Sequence, residues 1–126
     1  MRALDSAKIE EAIQTAKSSD LAIVIVGEDS FRQHWKEKTC GENRDRMDIT
    51  LWGKQDYLVE SIYKTGVPTI VILINGRPLA TRWIAENIPA VIEAWEPGSM
   101  GGKAIAEILF GKVNPSGKLP SLFHGT

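Results

Sequence analysis

"LAIVIV", residues 21–26, is a continuous apolar run, mostly β-branched, too short for an ordinary helix and lacking the alternation of a strand with one wet face. Such a run reads as a strand covered on both faces, the environment of a parallel sheet. "TIVILI", residues 69–74, repeats the pattern and is closed by the turn residues Asn75, Gly76 and Pro78. "AVIEAW", residues 90–95, supplies a third strand. Between these runs the period changes. Ile9, Ala12, Ile13 and Ala16 predict a helix over 6–18, with Asp5 or Ser6 as its cap. Leu51, Gln55, Leu58, Val59 and Ile62 predict a second, stopped by Gly66 and Pro68. A short helix is expected around Trp83 and Ile84. A last one turns Ala104, Ile105, Ile108 and Leu109 inward and ends at Gly111, before "NPSGKLPSLF" closes the chain as a turn and an extended segment. Helices alternating with buried strands imply a doubly wound α/β domain with few strands and right-handed crossovers.

The 126 residues make one domain, 1–126, long enough to bury a core without metal or disulfide staples. With 43% hydrophobic and 25% charged residues the composition is that of a globular protein. A formal net charge of −1 gives no field that would draw the chain to nucleic acid or an acidic membrane. One cysteine forms no internal disulfide, and no apolar run approaches membrane-spanning length. No charged segment followed by an apolar one opens the chain, so no export signal is expected within it.

Ligands in open α/β sheets bind at the carboxyl ends of the strands. Two segments leave such ends: "EPGSMGG", residues 96–102, and the long stretch "GEDSFRQHWKEKTCGENRDRMD", residues 27–48. The first fails as a phosphate loop, with Pro97 and Ala104 where Gly and Ser or Thr are needed, and fails as a nucleophile elbow around Ser99 for the same Pro97. Gly101 and Gly102 there serve a tight turn more readily than an anion. No dinucleotide fingerprint follows any strand, and two distant histidines with one cysteine make no metal site; no metal or cofactor is expected. Cys40 reads as an inert small hydrophobe or an incidental thiol rather than a nucleophile. The second segment exceeds the length of ordinary loops, which points to function. Its carboxylates Glu28, Asp29, Glu37, Glu42, Asp45 and Asp48 are all open to a chemical role, and a general acid among them needs a raised pKa. Arg44 and Arg46 would lower that of Glu42, so a partner surface must supply the opposing burial or second carboxylate.

Four stretches in order, "SSDLAIVIVGE", "GENRDRMDITL", "KTGVPTIVILINGRPL" and "AVIEAWEPGSMGGKAIAEILFGKVNPSGKLP", resemble the C-terminal α/β-sandwich domain of glycoside hydrolase family 3, the β-glucosidase and β-xylosidase family. The resemblance runs from about Ile9 to Pro120. It implies a three-layer, flavodoxin-like α/β sandwich with a small, mostly parallel sheet, truncated at its N-terminal edge. It also implies a partner: a TIM barrel carrying an aspartate nucleophile, to which this domain lends a loop glutamate as acid/base. By the pattern Gly-Glu-x-x-Asp/Ser-Arg that glutamate is Glu42, with Asp45 and Arg46 shaping the loop. Trp35 and Trp52 are candidates for stacking on a sugar ring. The sequence departs from the family pattern at Met100, where Glu or Gln is usual, and at Trp52, where Pro is usual. The implied substrate is a β-glucoside or related oligosaccharide. Without the barrel nucleophile the isolated chain is expected to be inactive, and its uncovered surfaces point to a homo-oligomer or to a fragment that needs its parent. The alternative expectation is a non-catalytic carbohydrate-binding or structural module. Relatives suggest a periplasmic or secreted parent.

Overall fold

The computed structural model describes residues 5–29, 38–41 and 45–120. Three strands, β1 (Ala22–Gly27), β2 (Thr69–Ile74) and β3 (Ala90–Glu93), form one parallel sheet in the order β1-β2-β3. Among the described residues four helices accompany them: α1 (Ser6–Lys17), α2 (Gln55–Tyr63), α3 (Arg82–Asn87) and α4 (Gly101–Leu109). The three apolar runs are thus the three strands, and the helical periods are the helices between and around them. Asp5 caps α1 through its side chain, which accepts from the Ala7 N–H at 3.4 Å.

Because the strands advance in one direction across the sheet, right-handed crossovers put α2 and α3 on the same face. Val24 and Val26 of β1 sit in register with Val71 and Leu73 of β2. These four meet Ala16 of α1, Val59 and Ile62 of α2, and Ile84 of α3 in the main core. The other face differs from the expectation of a fully covered sheet. Ile72, in the central strand, is 1% exposed, but its neighbours on β1, Ile23 and Ile25, are 47% and 57% exposed. The apolar run of β1 is buried on one face only, because the strand lies at the edge of the sheet among the described residues. On α4, Ile105, Ile108 and Leu109 are half-buried while Ala104 is exposed.

Two element ends move relative to the sequence reading. Leu51 is buried at 3%, yet α2 begins only at Gln55, which a contact with β1 holds in place. The third strand stops at Glu93, since Trp95 turns into the left-handed region at φ 54°.

Candidate functional site

All three strands end on the same side of the sheet, and each carries at or just beyond its end a polar residue that the fold buries or half-buries. Beyond β1 comes Glu28, beyond β2 Asn75 and Arg77, and at the end of β3 Glu93, with Trp95 two residues on. The backbone joins these ends, with Glu28 N–H donating to Ile74 O at 2.9 Å and Asn75 N–H to Trp95 O at 3.2 Å. Side chains complete the layer. Asn75 Nδ2 donates to Arg77 O at 2.8 Å and to Glu93 Oε2 at 3.3 Å, and Trp95 N–H donates to Glu93 Oε1 at 2.9 Å. Burial pushes the Glu93 carboxyl above its ordinary value, and these two donors offset part of that rise.

Gly27 sets the exit angle of β1. Its φ is +147°, and a Cβ at this position would lie 1.9 Å from Ile74 O, so only glycine lets the strands approach. Gln55 locks the same residue from the helix side. Gly27 N–H donates to Gln55 Oε1 at 2.8 Å, while Gln55 Nε2 donates to Gly27 O at 2.9 Å and Trp52 O at 3.0 Å. Glu28, the next residue, therefore leaves β1 in a fixed direction.

The Glu28 carboxylate has no exposed side-chain surface and sits between two guanidinium groups. Arg46 Nη1 donates to Oε1 at 2.6 Å, and Arg77 Nε lies 3.1 Å from Oε2. Among the described residues no N–H is aligned on Oε2, which the Arg77 guanidinium stabilises by charge rather than by a directed hydrogen bond. Arg46 is held further by Nη2 donating to Thr50 O at 3.0 Å and by the Trp52 ring, 5.3 Å from its guanidinium carbon.

Asp29 ties back the far end of the long segment. Its N–H donates to Thr39 Oγ1 at 2.8 Å, and its carbonyl accepts from the N–H groups of Thr39 and Cys40 at 2.8 and 3.3 Å. Cys40 is 1% exposed, packed beside Gly76. Burial raises its thiol pKa most, and the charge of Glu28 adds to that, while the Gly76 backbone hydrogen bond offsets part. A thiol so placed is held protonated and is a poor nucleophile. Ser99 is exposed in the turn before α4. Among the described residues no three His, Cys, Asp or Glu side chains gather as a metal site. A groove of about 400 Å³ lies between α1 and the beginning of β1, at the opposite end of the strand from this layer.

Of the residues singled out from the sequence, Glu42 and Trp35 lie outside the described residues. Asp45 is exposed, whereas Arg46 and Trp52 are brought together. Trp52 keeps 45% of its surface open. The sequence reading treated Glu28 as one of six equivalent carboxylates, took Asn75 only as a turn residue, and passed over Arg77 and Glu93. The usable signal was position: each stands at the end of an apolar strand or within three residues after it. Gln55 was counted in the apolar period of its helix, and a polar residue on a buried face was itself a mark of an internal hydrogen-bonding role.

Residues 2–126 match the family model described as the glycosyl hydrolase family 3 C-terminal domain. A β-xylosidase of Formosa agariphila is 51% identical over 113 residues, covering 90% of this chain and 15% of that protein. The periplasmic β-glucosidase of Salmonella typhimurium is 41% identical, over 93% of this chain and 14% of its own. Among solved structures, a β-glucosidase from Erythrobacter marinus superposes with a TM-score of 0.78 at 42% identity, over 92% of this chain and 16% of that one. A Listeria innocua β-glucosidase in complex with gluconolactone gives a TM-score of 0.79 at 31% identity, over 92% and 15%. The chain thus spans about one seventh of the length of these relatives.

Proposed function

The chain belongs to the glycosyl hydrolase family 3 C-terminal domain, and from that membership we propose that it contributes the acid/base glutamate, Glu42, to a retaining β-glycosidase site completed by a barrel domain. The barrel supplies an aspartate nucleophile, and the chain alone is inactive. The observation that carries this reading is the bracketing of Glu42. Two residues before it, Cys40 is buried and bonded to Asp29; four residues after it, Arg46 is ion-paired to Glu28. Both anchors belong to the carboxyl edge of the sheet, where ligands of open α/β folds bind.

In the first step the Glu42 carboxyl gives its proton to the leaving oxygen as the glycosidic C–O bond breaks and the barrel aspartate bonds the anomeric carbon. In the second, the Glu42 carboxylate takes a proton from water as the water oxygen displaces the aspartate. Such pairs stand about 5–5.5 Å apart, and the second negative charge raises the pKa of the acid. Glu28 supports the same end, because its charge compensates that of Arg46, which would otherwise hold a nearby acid in its ionised form. The substrate is a β-glucoside or related oligosaccharide, with xylosides also within the range that the relatives' names indicate.

The test replaces the matching segment of the Formosa β-xylosidase with this chain and compares the chimera with its Glu42→Gln form. Phenyl and 2,4-dinitrophenyl β-xylosides, and the corresponding glucosides, serve as substrates. Loss of a general acid costs about 10²–10⁴-fold on the phenyl glycoside. The dinitrophenolate leaves without protonation, so its release is largely spared, and azide restores turnover by replacing the activated water. Equal phenyl glycoside activity in the two chimeras, or hydrolysis by the isolated chain that Glu42→Gln abolishes, refutes the proposal.

A further inference from the structure

We infer that Glu28 is a positioning residue for the acid/base segment, a buried carboxylate that clamps Arg46 and Arg77 together and thereby orients the stretch leading back to Glu42. The inference rests on the reading of Glu42 as acid/base and adds a residue that acts through others.

Its position is unusual for a charge. The Glu28 side chain is 0% exposed, while its partners Arg46 and Arg77 are 13% and 25% exposed. A buried ion pair is weak as a source of stability, since apolar residues of similar volume often serve the fold as well. An ionic clamp instead fixes direction. Among the described residues the Arg46 guanidinium has three distinct contacts: Glu28 Oε1 on one side, Thr50 O on another, and the Trp52 ring across its face. Together they fix the plane of the group, and with it the backbone from which it springs.

The same point on β1 governs the other flank. Asp29, adjacent to Glu28, holds Thr39 and Cys40 through backbone and hydroxyl hydrogen bonds. Two consecutive residues at the exit of β1 thus anchor the chain both before and after Glu42. Arg77 extends the clamp to the turn after β2, whose Asn75 bonds both Arg77 and Glu93. Glu28 is where the ends of the sheet meet Arg46, the described anchor that follows Glu42 in sequence. Proton transfer depends on placement to within a fraction of an ångström, and a misplacement of 1 Å costs on the order of 10²-fold.

Glu28→Gln keeps the shape of the side chain and removes its charge. Arg46→Lys keeps the charge and removes the fork that reaches Thr50. Both are made in the full-length chimera and assayed with phenyl and 2,4-dinitrophenyl β-xyloside, with a thermal melt of each variant. The expected result for both is a loss in kcat/KM of roughly 10- to 100-fold on the phenyl glycoside. On the dinitrophenyl glycoside, which needs no acid, the loss stays within about threefold. Equal losses on the two substrates, in a host where Glu42→Gln does discriminate between them, would mean that the clamp serves the fold alone and would overturn the inference. No discrimination by Glu42→Gln itself overturns the acid/base reading and this inference with it. If the melt shows Glu28→Gln to be unfolded, the leaving-group ratio of Arg46→Lys decides.

Discussion

Gly27→Ala tests the geometry on which the whole edge depends. The added methyl would lie 1.9 Å from Ile74 O, 2.7 Å from its carbonyl carbon and 2.9 Å from its nitrogen. Carbon–oxygen contacts settle near 3.3 Å or beyond, so β1 and β2 must part by more than ~1 Å at this pair. All three atoms are backbone, and no side-chain rotation relieves the clash. Separation stretches the bond from Glu28 N–H to Ile74 O, now 2.9 Å, at a cost of about 1 kcal/mol. The φ of +147° is foreign to alanine and adds roughly 1–3 kcal/mol. Gln55 resists any relaxation, being bonded to both backbone groups of Gly27. The expected total is about 2–4 kcal/mol, or a fall in Tm of roughly 6–20 °C for a domain of this size. Circular dichroism melts of the chain and its variant measure it. Gly53→Ala is the control: its φ is +67°, but nothing lies within 4 Å of the added methyl, so only a backbone cost near 1 kcal/mol is expected. A fall of less than ~3 °C for Gly27→Ala, or one no larger than for Gly53→Ala, refutes the close-approach argument.

Gln55→Leu should destabilise the chain by about 2–4 kcal/mol in urea titration, because Gly27 N–H and C=O are left buried without partners; a neutral result would mean that water replaces the amide. Burial raises the Glu93 pKa above 4.5, so the fold favours the protonated form. The stability it contributes is full below the unfolded value and is lost as pH rises through the folded one. The difference in urea stability between the chain and Glu93→Gln should therefore shift against the native chain from pH 4 upward, and a flat difference contradicts the assignment. Cys40 should resist iodoacetamide at pH 8 in the folded chain and react on denaturation, as its burial and raised pKa require; rapid labelling of the native form would show that the thiol is open. Each of these concerns a residue at or beside the strand ends, so together they test the layer independently of catalysis.

The strands and helices were legible because each is decided locally. Runs such as "TIVILI" have nowhere to go but a buried strand, and the spacing of Ile9, Ala12 and Ala16 puts one apolar stripe on a helix. The family resemblance likewise lay in contiguous words of sequence, and it supplied Glu42, Asp45 and Arg46, which no spacing rule would have separated from their neighbours. What the linear text did not carry was the pairing of residues far apart along it. Glu28 and Asp48 look alike as acidic residues of one long segment. One is enclosed by Arg46 and Arg77, and the other stays exposed as a turn acceptor for Thr50 N–H at 2.8 Å. The half-bare face of β1 also escaped the sequence, since an apolar run reports that a strand is hydrophobic and not whether it lies at the centre or the edge of its sheet. Composition and period are properties of a residue and its near neighbours. Burial, strand order and charge pairing are set by what the folded chain brings within a few ångströms, and only the tertiary structure decides that.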